Sequence, residues 1–256
     1  MFIPILAYHK IQDDFDLSVT RVHLSRFESQ IQFLVEAGFQ SVTIEELFKF
    51  RHRSDRKLIA LTFDDAYRCV YDYAFPILRE YGFKATLFVV TKYAGRWNTW
   101  DYQLFSKSRH CDWDQIRFLA SQGWEIGSHS VSHPNLKWLA ERELFNELHG
   151  SKLEIENQIQ ASVQTISYPF GKYDARVIRF VKMAGYASGC TLGHSSYQTQ
   201  LIPYALFRRG VYCFESIPVF KLKLVNNFWS RCDDLKQKLI TSCANGSTLL
   251  QYIRSR

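Results

Sequence analysis

The feature that most restricts the fold is a regular alternation of short apolar runs and amphipathic segments. The apolar runs "FIPILAY" (2–8), "FQSVT" (39–43), "KLIALTF" (57–63), "KATLFVV" (84–90), "WEIGSH" (124–129), "QTISYPF" (164–170), "YASGCTL" (186–192) and "FRRGVY" (207–212) are too short for buried helices and suit buried strands. Between them lie helical patterns: "LSRFESQIQFLVEAGF", "IEELFKFRHR", "YRCVYDYAFPILREYG", "WDQIRFLASQG", "KWLAERELFNELHGSKLEIENQI" and "DARVIRFVKMAG". In the first, Phe27, Ile31 and Leu34 share one face and Gly38 supplies a stop. Pro76 predicts a kink or a late start in the third. Strand and helix in alternation demand a parallel sheet covered by helices. About seven or eight such units favour a closed or nearly closed barrel over an open sheet. No Pro/Gly/Ser-rich linker divides the 256 residues, so the expectation is one α/β barrel, closed or nearly closed. It forms a single domain over 1–256, with a less regular C-terminal segment from about 214 and a helix after "ESIP". The stretch from Thr91 to Cys111 has no periodicity and reads as a long loop over one face.

Composition excludes several classes. Lys and Arg exceed Asp and Glu by 32 to 25, but the basic residues are dispersed, without the stripe or reading motif that nucleic-acid binding needs. The net charge of +7 is compatible with peripheral contact with an anionic polymer or membrane surface. Nothing approaches the ~18 apolar residues of a transmembrane helix. The six cysteines contain no C-x-x-C, which argues against a cysteine zinc site. "MFIPILAYHKIQDD" lacks the basic and apolar regions of a signal peptide, giving an expectation of a cytoplasmic protein.

Chemistry-bearing residues collect where the apolar runs end. His9 follows the first run, Asp64 and Asp65 follow "KLIALTF", His129 and His133 follow "WEIGS", and His194 follows "YASGCTLG". In a parallel α/β barrel those ends open on one face, where catalytic groups gather. "SHSVSHP" carries imidazoles four residues apart, a spacing that aims both at one ion. Two histidines and a carboxylate make an open zinc set that leaves a coordination position for water or substrate. One aspartate of the pair can then ligate the cation, which offsets the repulsion of its neighbour, and the other can act as a base. The alternative is that both aspartates cap a helix beginning near Tyr67.

The pieces "AYHKI", "LTFDDAY", "ATLFV", "GWEIGSHSVSHPNL" and "SYPFGKYD", in that order, resemble the polysaccharide deacetylases, a carbohydrate-esterase family. The resemblance spans about residues 4–175 and continues more weakly to "FRRGVY". It implies an α/β fold that is a distorted (β/α) barrel of about seven strands, with a divalent metal, usually zinc, held by Asp65, His129 and His133, and with Asp64 as catalytic base. It also implies that the Phe170 backbone N–H helps hold the oxyanion, and that the substrate is an N-acetylated sugar losing acetate.

Three positions depart from the family pattern. Ala66 stands where a glycine is usual after the aspartates, and Ser167 stands where many members carry an arginine that tethers the base. Arg209 in "FRRGVY" is the expected substitute for that charge. The family's late leucine–x–histidine segment is absent, leaving His194 and His9 as candidates for the general acid. Trp97, Trp100 and Asp101 are placed as a sugar-stacking wall or as packing beneath the long loop, and His23, His52, His110 and His149 as surface residues. Three readings stand: an N-acetylhexosamine deacetylase acting on a glycan, glycolipid or sugar precursor, a hydrolase of small amides or imides, and a silent glycan- or partner-binding protein.

Overall fold

Helical crossovers between apolar runs force neighbouring strands to run parallel, and every ladder in the protein is parallel among the described residues. The computed structural model describes residues 2–13, 18–50, 56–99, 108–192 and 202–226. Its strands are β1 (Ile5–Tyr8), β2 (Lys10–Ile11), β3 (Arg21–Val22), β4 (Phe39–Val42), β5 (Lys57–Phe63), β6 (Thr86–Val89), β7 (Glu125–Ser128), β8 (Thr165–Ser167), β9 (Ser188–Leu192) and β10 (Leu206–Gly210). Its helices are α1 (Leu24–Glu36), α2 (Ile44–Phe50), α3 (Phe75–Glu80), α4 (Trp113–Ser121), α5 (Glu141–Ile159), α6 (Ala175–Met183) and α7 (Ile217–Leu222).

β1, β10, β9, β8, β7, β6 and β5 pair in that order, and β1 pairs again with β5, closing a seven-stranded barrel. β4 lies outside the ring. Ala60 pairs with both Ile5 and Val42, while Thr62 pairs with both Ala7 and Thr86. β4 and β6 therefore share one edge of β5 in succession, β4 along its start and β6 along its end. The run "FQSVT" is a strand as expected, but the ring closes without it.

Strand alternation decides what faces the barrel axis. In β5, Ile59, Leu61 and Phe63 pack outward with Phe27, Val70 and Trp124 beneath the helices. Leu58 and Ala60 turn inward to Phe88, Cys190 and Leu206. The inward series continues through Thr62 to Asp64, so the interior is apolar where the strands begin and polar where they end. Inside that lower half, Gly127 is required because a Cβ there would stand 2.6 Å from the Phe88 ring. α2 covers the start of the barrel: Ile44 and Leu47 join the interior cluster, and the Ile44 and Glu45 N–H groups bond to Thr86 and Glu125 at the starts of β6 and β7.

Pro76 acts one turn earlier than a simple kink. Val70–Ala74 is a π-helical turn leading into α3, and the wider turn relieves the clash a proline ring makes with the preceding carbonyls. The helix expected from Lys137 begins at Glu141, after a short 3-10 turn at Leu136–Trp138. In the long loop, backbone bridges join Trp97 to Arg109 and Tyr67 to His110. Residues 109–111 thus form a strap across the segment that follows Asp65. The less regular C-terminal segment contributes α7, and its part beyond residue 226 lies outside the described residues. Among the described residues no helix is long and apolar enough to cross a membrane.

Candidate functional site

The ends of β5, β7 and β8 deliver two acids, two imidazoles and a tight turn to one spot. Asp65 and Ala66 leave β5 with φ of 68° and 50°, a left-handed turn that lets successive side chains diverge. The family's usual glycine at position 66 is explained by that angle, which Ala66 adopts under strain. Ser130, His133 and Phe170 also take positive φ, and among the described non-glycine residues only Gln160, at the end of α5, does so elsewhere. Backbone strain is thus concentrated at the site.

Asp65, His129 and His133 offer ligand atoms lying within 4.8 Å of one another, and all three residues are buried. Asp65 Oδ1 stands 3.6 Å from both His129 Nε2 and His133 Nε2. A tetrahedral ion with bonds of about 2.1 Å needs its ligands roughly 3.4 Å apart, so the set fits a small divalent metal. The protonation states fit as well. His129 donates its Nδ1 proton to the Ser167 carbonyl at 2.7 Å, which leaves the Nε2 lone pair for a metal. Burial pushes the His129 imidazolium down to about 4, against the opposing pull of Asp64. Burial, then the charge of His129, holds His133 well below its ordinary value. Both rings are neutral at physiological pH, as metal donors must be.

The histidine loop is clamped from α5. Glu147 accepts hydrogen bonds from the Val131 and Ser132 N–H groups at 2.8 and 2.9 Å, and from the Ser132 hydroxyl at 2.6 Å. Ser130 Oγ accepts from the His133 N–H at 3.0 Å, and the His133 ring meets those of His129 and Phe170.

Asp64 ends the inward series of β5, and its charge is felt by both His129 and His133. Arg208 grips it with two bonds of 2.7 Å, and also donates to Ser167 Oγ at 2.7 Å and Thr62 Oγ1 at 3.0 Å. Ser167 Oγ in turn donates to Asp64 Oδ2 at 3.3 Å. Both side chains of the pair are buried. Burial would raise the Asp64 pKa, but the Arg208 guanidinium, with lesser help from His129, holds it well below the usual carboxylate range.

Arg208, rather than the expected Arg209, is therefore the arginine that pairs with Asp64. Alternation along β10 turns Leu206 and Arg208 inward and Arg209 outward. Arg209 instead donates to the Leu222, Lys223 and Val225 carbonyls, tying down the end of α7. Ser167 occupies the usual arginine position and is absorbed into the Arg208 network. His9 is partly buried, and its charge is felt by Asp64, His129 and His133, which places it at the site. His194 lies outside the described residues, as do Trp100, Asp101 and His52. Trp97 is about half exposed, at 54%.

His110, expected on the surface, is buried against the acid turn. Its ring stacks on Tyr67 with centroids 4.7 Å apart, and Nδ1–H donates to the Asp65 carbonyl at 2.6 Å. His23 is exposed and pairs with Asp13, and His149 stacks on Phe145. No sequence period marks His110, because the strap that delivers it is held by isolated bridges.

Seven parallel strands around an acid pair, with an Asp–His–His triad at the strand ends, define a barrel hydrolase equipped for one metal ion. The family model for polysaccharide deacetylase matches residues 51–189, and the chain belongs to that family of metal-dependent hydrolases acting on carbon–nitrogen bonds. YxkH of Bacillus subtilis (strain 168), assigned to the same family, is 30% identical over 209 residues, covering 80% of this chain and 70% of that protein. The poly-beta-1,6-N-acetyl-D-glucosamine N-deacetylase of Staphylococcus aureus (strain MRSA252) is 26% identical over 182 residues. That match covers 67% of this chain and 61% of the staphylococcal protein, so less than two thirds of that relative is represented. In structure, the Streptococcus pyogenes deacetylase PplD, in complex with acetate, superposes with a TM-score of 0.75 at 24% identity, over 87% of this chain and 98% of that one. At that identity the likeness establishes the fold.

Proposed function

We propose that this protein removes the N-acetyl group from N-acetylhexosamine in a glycan, glycolipid or sugar precursor. The observation that carries the reading is the division of two adjacent aspartates. One is locked as a buried anion by Arg208, and the other lies 3.6 Å from two neutral imidazoles.

Asp65, His129 and His133 would hold one divalent ion, for which zinc is the choice that fits two imidazoles and a carboxylate. Such an ion, when bound, supplies Lewis acidity and an acidified water at neutral pH. Asp64 takes the proton of the water that adds to the acetamide carbonyl. Its low pKa makes it a weak base, but keeps it anionic at neutral pH. The Phe170 N–H, on the turn whose ring packs against His133, is the donor for the oxyanion. As the C–N bond breaks, the amine takes a proton, for which His9, whose charge is felt by Asp64, His129 and His133, and His194 are the candidates. The products are acetate and a free amino sugar. The positive net charge supports peripheral contact with an anionic polymer or surface.

Acetate release from N-acetylglucosamine oligomers by the purified protein tests the reading, before and after metal is stripped and zinc restored. Turnover lost with the metal and regained with zinc is the expected result. A protein that binds zinc but releases no acetate overturns the substrate assignment. One that refuses zinc overturns the mechanism and leaves a binding protein.

A further inference from the structure

The chain uses a third buried histidine to shape the site, in a place where the metal set has no need of one. Asp65 sits in the left-handed region at φ 68°, followed by Ala66 at 50°, and neither residue has glycine's freedom there. A turn of this kind persists only when neighbouring groups over-determine it. Here the strap at residues 109–111 supplies three hydrogen bonds to the turn and the segment just after it. The Cys111 N–H donates to the Ala66 carbonyl at 2.8 Å, and the Arg68 N–H donates to the Arg109 carbonyl at 2.8 Å. Between these two backbone bonds, the His110 side chain donates from Nδ1 to the carbonyl of Asp65 itself, at 2.6 Å. The ring is fixed in place by Tyr67, stacked on it at 4.7 Å with planes 24° apart, and by Tyr93 at 5.6 Å. Tyr67 is fixed in turn by the Asn98 amide, which donates to its hydroxyl at 2.6 Å.

We propose that His110 is a positioning residue for the metal centre: its Nδ1–H, bonded to the Asp65 carbonyl, holds the left-handed peptide that aims the Asp65 carboxylate at His129 and His133. The inference rests on the assignment of Asp65 as a metal ligand. The peptide plane of residue 65 sets the direction of its Cα–Cβ bond, so a few tens of degrees of relaxation would carry Oδ1 away from the two Nε2 atoms. Hydrogen-bond partners standing behind a ligand commonly change metal affinity by about 10- to 100-fold when lost. His110 acts on the main chain of the ligand rather than on its carboxylate, and it acts from a loop that neither acid nor either histidine belongs to.

Three substitutions separate the hydrogen bond from the bulk of the ring. In His110→Asn the amide nitrogen falls close to the place of Nδ1 and keeps the donor. His110→Gln puts its amide nearer the place of Nε2, and His110→Phe keeps the stack on Tyr67 without a donor. Zinc affinity is read directly by titrating the metal-free proteins against a competing chelating dye, with folding checked by circular dichroism. kcat and KM for an N-acetylglucosamine oligomer are measured beside it.

The Phe and Gln variants are expected to bind zinc about 10- to 100-fold more weakly than wild type, with KM little changed. Asn is expected to recover most of the affinity. If Phe fails to fold, Gln against Asn carries the same contrast. Zinc binding equal to wild type in the folded donor-less variants overturns the proposal. So does an Asn variant as weak as Phe, which would mean that the ring's shape matters and its bond does not. A wild-type protein that binds no zinc condemns the metal assignment instead, so the two failures are distinguishable.

Discussion

Asp64 and Asp65 are neighbours in the chain, yet one belongs to the barrel interior and the other to its rim. Asp64 continues the inward series of β5 and meets side chains from β8 and β10: Ser167 and Arg208, with Thr62 below it. Its environment is a product of strand alternation, and every partner sits on a rigid ladder. Asp65 follows one residue later, after the chain has turned left-handed, and its surroundings come from loops: the histidine segment clamped by Glu147 and the strap carrying His110. The interior fixes a charge, whereas the rim fixes a geometry. Adjacent carboxylates avoid repelling each other because one has its countercharge permanently and the other faces neutral donors suited to a cation.

The largest test of that contrast is removal of the interior countercharge. Arg208→Met strands a buried carboxylate, which should cost about 3–5 kcal/mol in denaturant unfolding. Since Arg208 is what lowers the Asp64 pKa against burial, the acid limb of the pH–activity profile should move to higher pH in any variant that still folds. Arg209→Met, the neighbouring change, loses the bonds to the end of α7 and the guanidinium contact with the Phe2 ring, none of which involves Asp64. It should cost about 1 kcal/mol and leave the profile in place.

The rim predicts a different pH window. His129 is lowered from 6.5 to about 4, so between those values the unfolded chain binds a proton that the folded one refuses. Metal-free protein should therefore be at full strength above about pH 6.5 and lose roughly 3 kcal/mol from this residue as the pH falls towards 4. His133 acts in the same direction. Asp64 contributes only lower down, below the ordinary carboxylate value near 3.9, where an unfolded Asp starts to take up its proton. Thermal unfolding of the metal-free protein across pH 4–7 reads the histidine window, and a flat midpoint there would contradict it.

Two smaller changes sharpen the rim alone. Glu147→Gln replaces charge-assisted bonds to the histidine loop with neutral ones, and should cost about 1–2 kcal/mol together with a few-fold loss of zinc affinity by titration. Ala66→Gly relieves the left-handed strain but gives the unfolded chain more freedom, so its thermal shift should correspond to less than about 1 kcal/mol either way.

How much of this was legible in the chain follows the same division. The barrel and the strand-end placement of Asp64, Asp65, His129 and His133 were readable, because apolar runs and the residues that end them are local signals. Arg208 was not separable from Arg209, because Leu206 and Phe207 are both apolar and nothing in "LFRRG" says which of them turns inward. That phase is set by the register of β10 against β9 and β1. β4 read as one strand among eight, and only its pairing along the start of β5 leaves it outside the ring. His110 was invisible for a further reason. It reaches Asp65 through two isolated bridges in a loop without periodicity, where sequence spacing carries no information about contact.

The most direct test of the central claim compares Asp64→Asn with Asp65→Asn, measuring bound zinc by elemental analysis and acetate release from N-acetylglucosamine oligomers. Asp64→Asn should retain near-stoichiometric zinc and lose about 10²- to 10⁴-fold in turnover, while Asp65→Asn should lose the metal itself. If both variants lose zinc alike, or both keep it, the two aspartates do not divide the work, and the account is wrong at its centre.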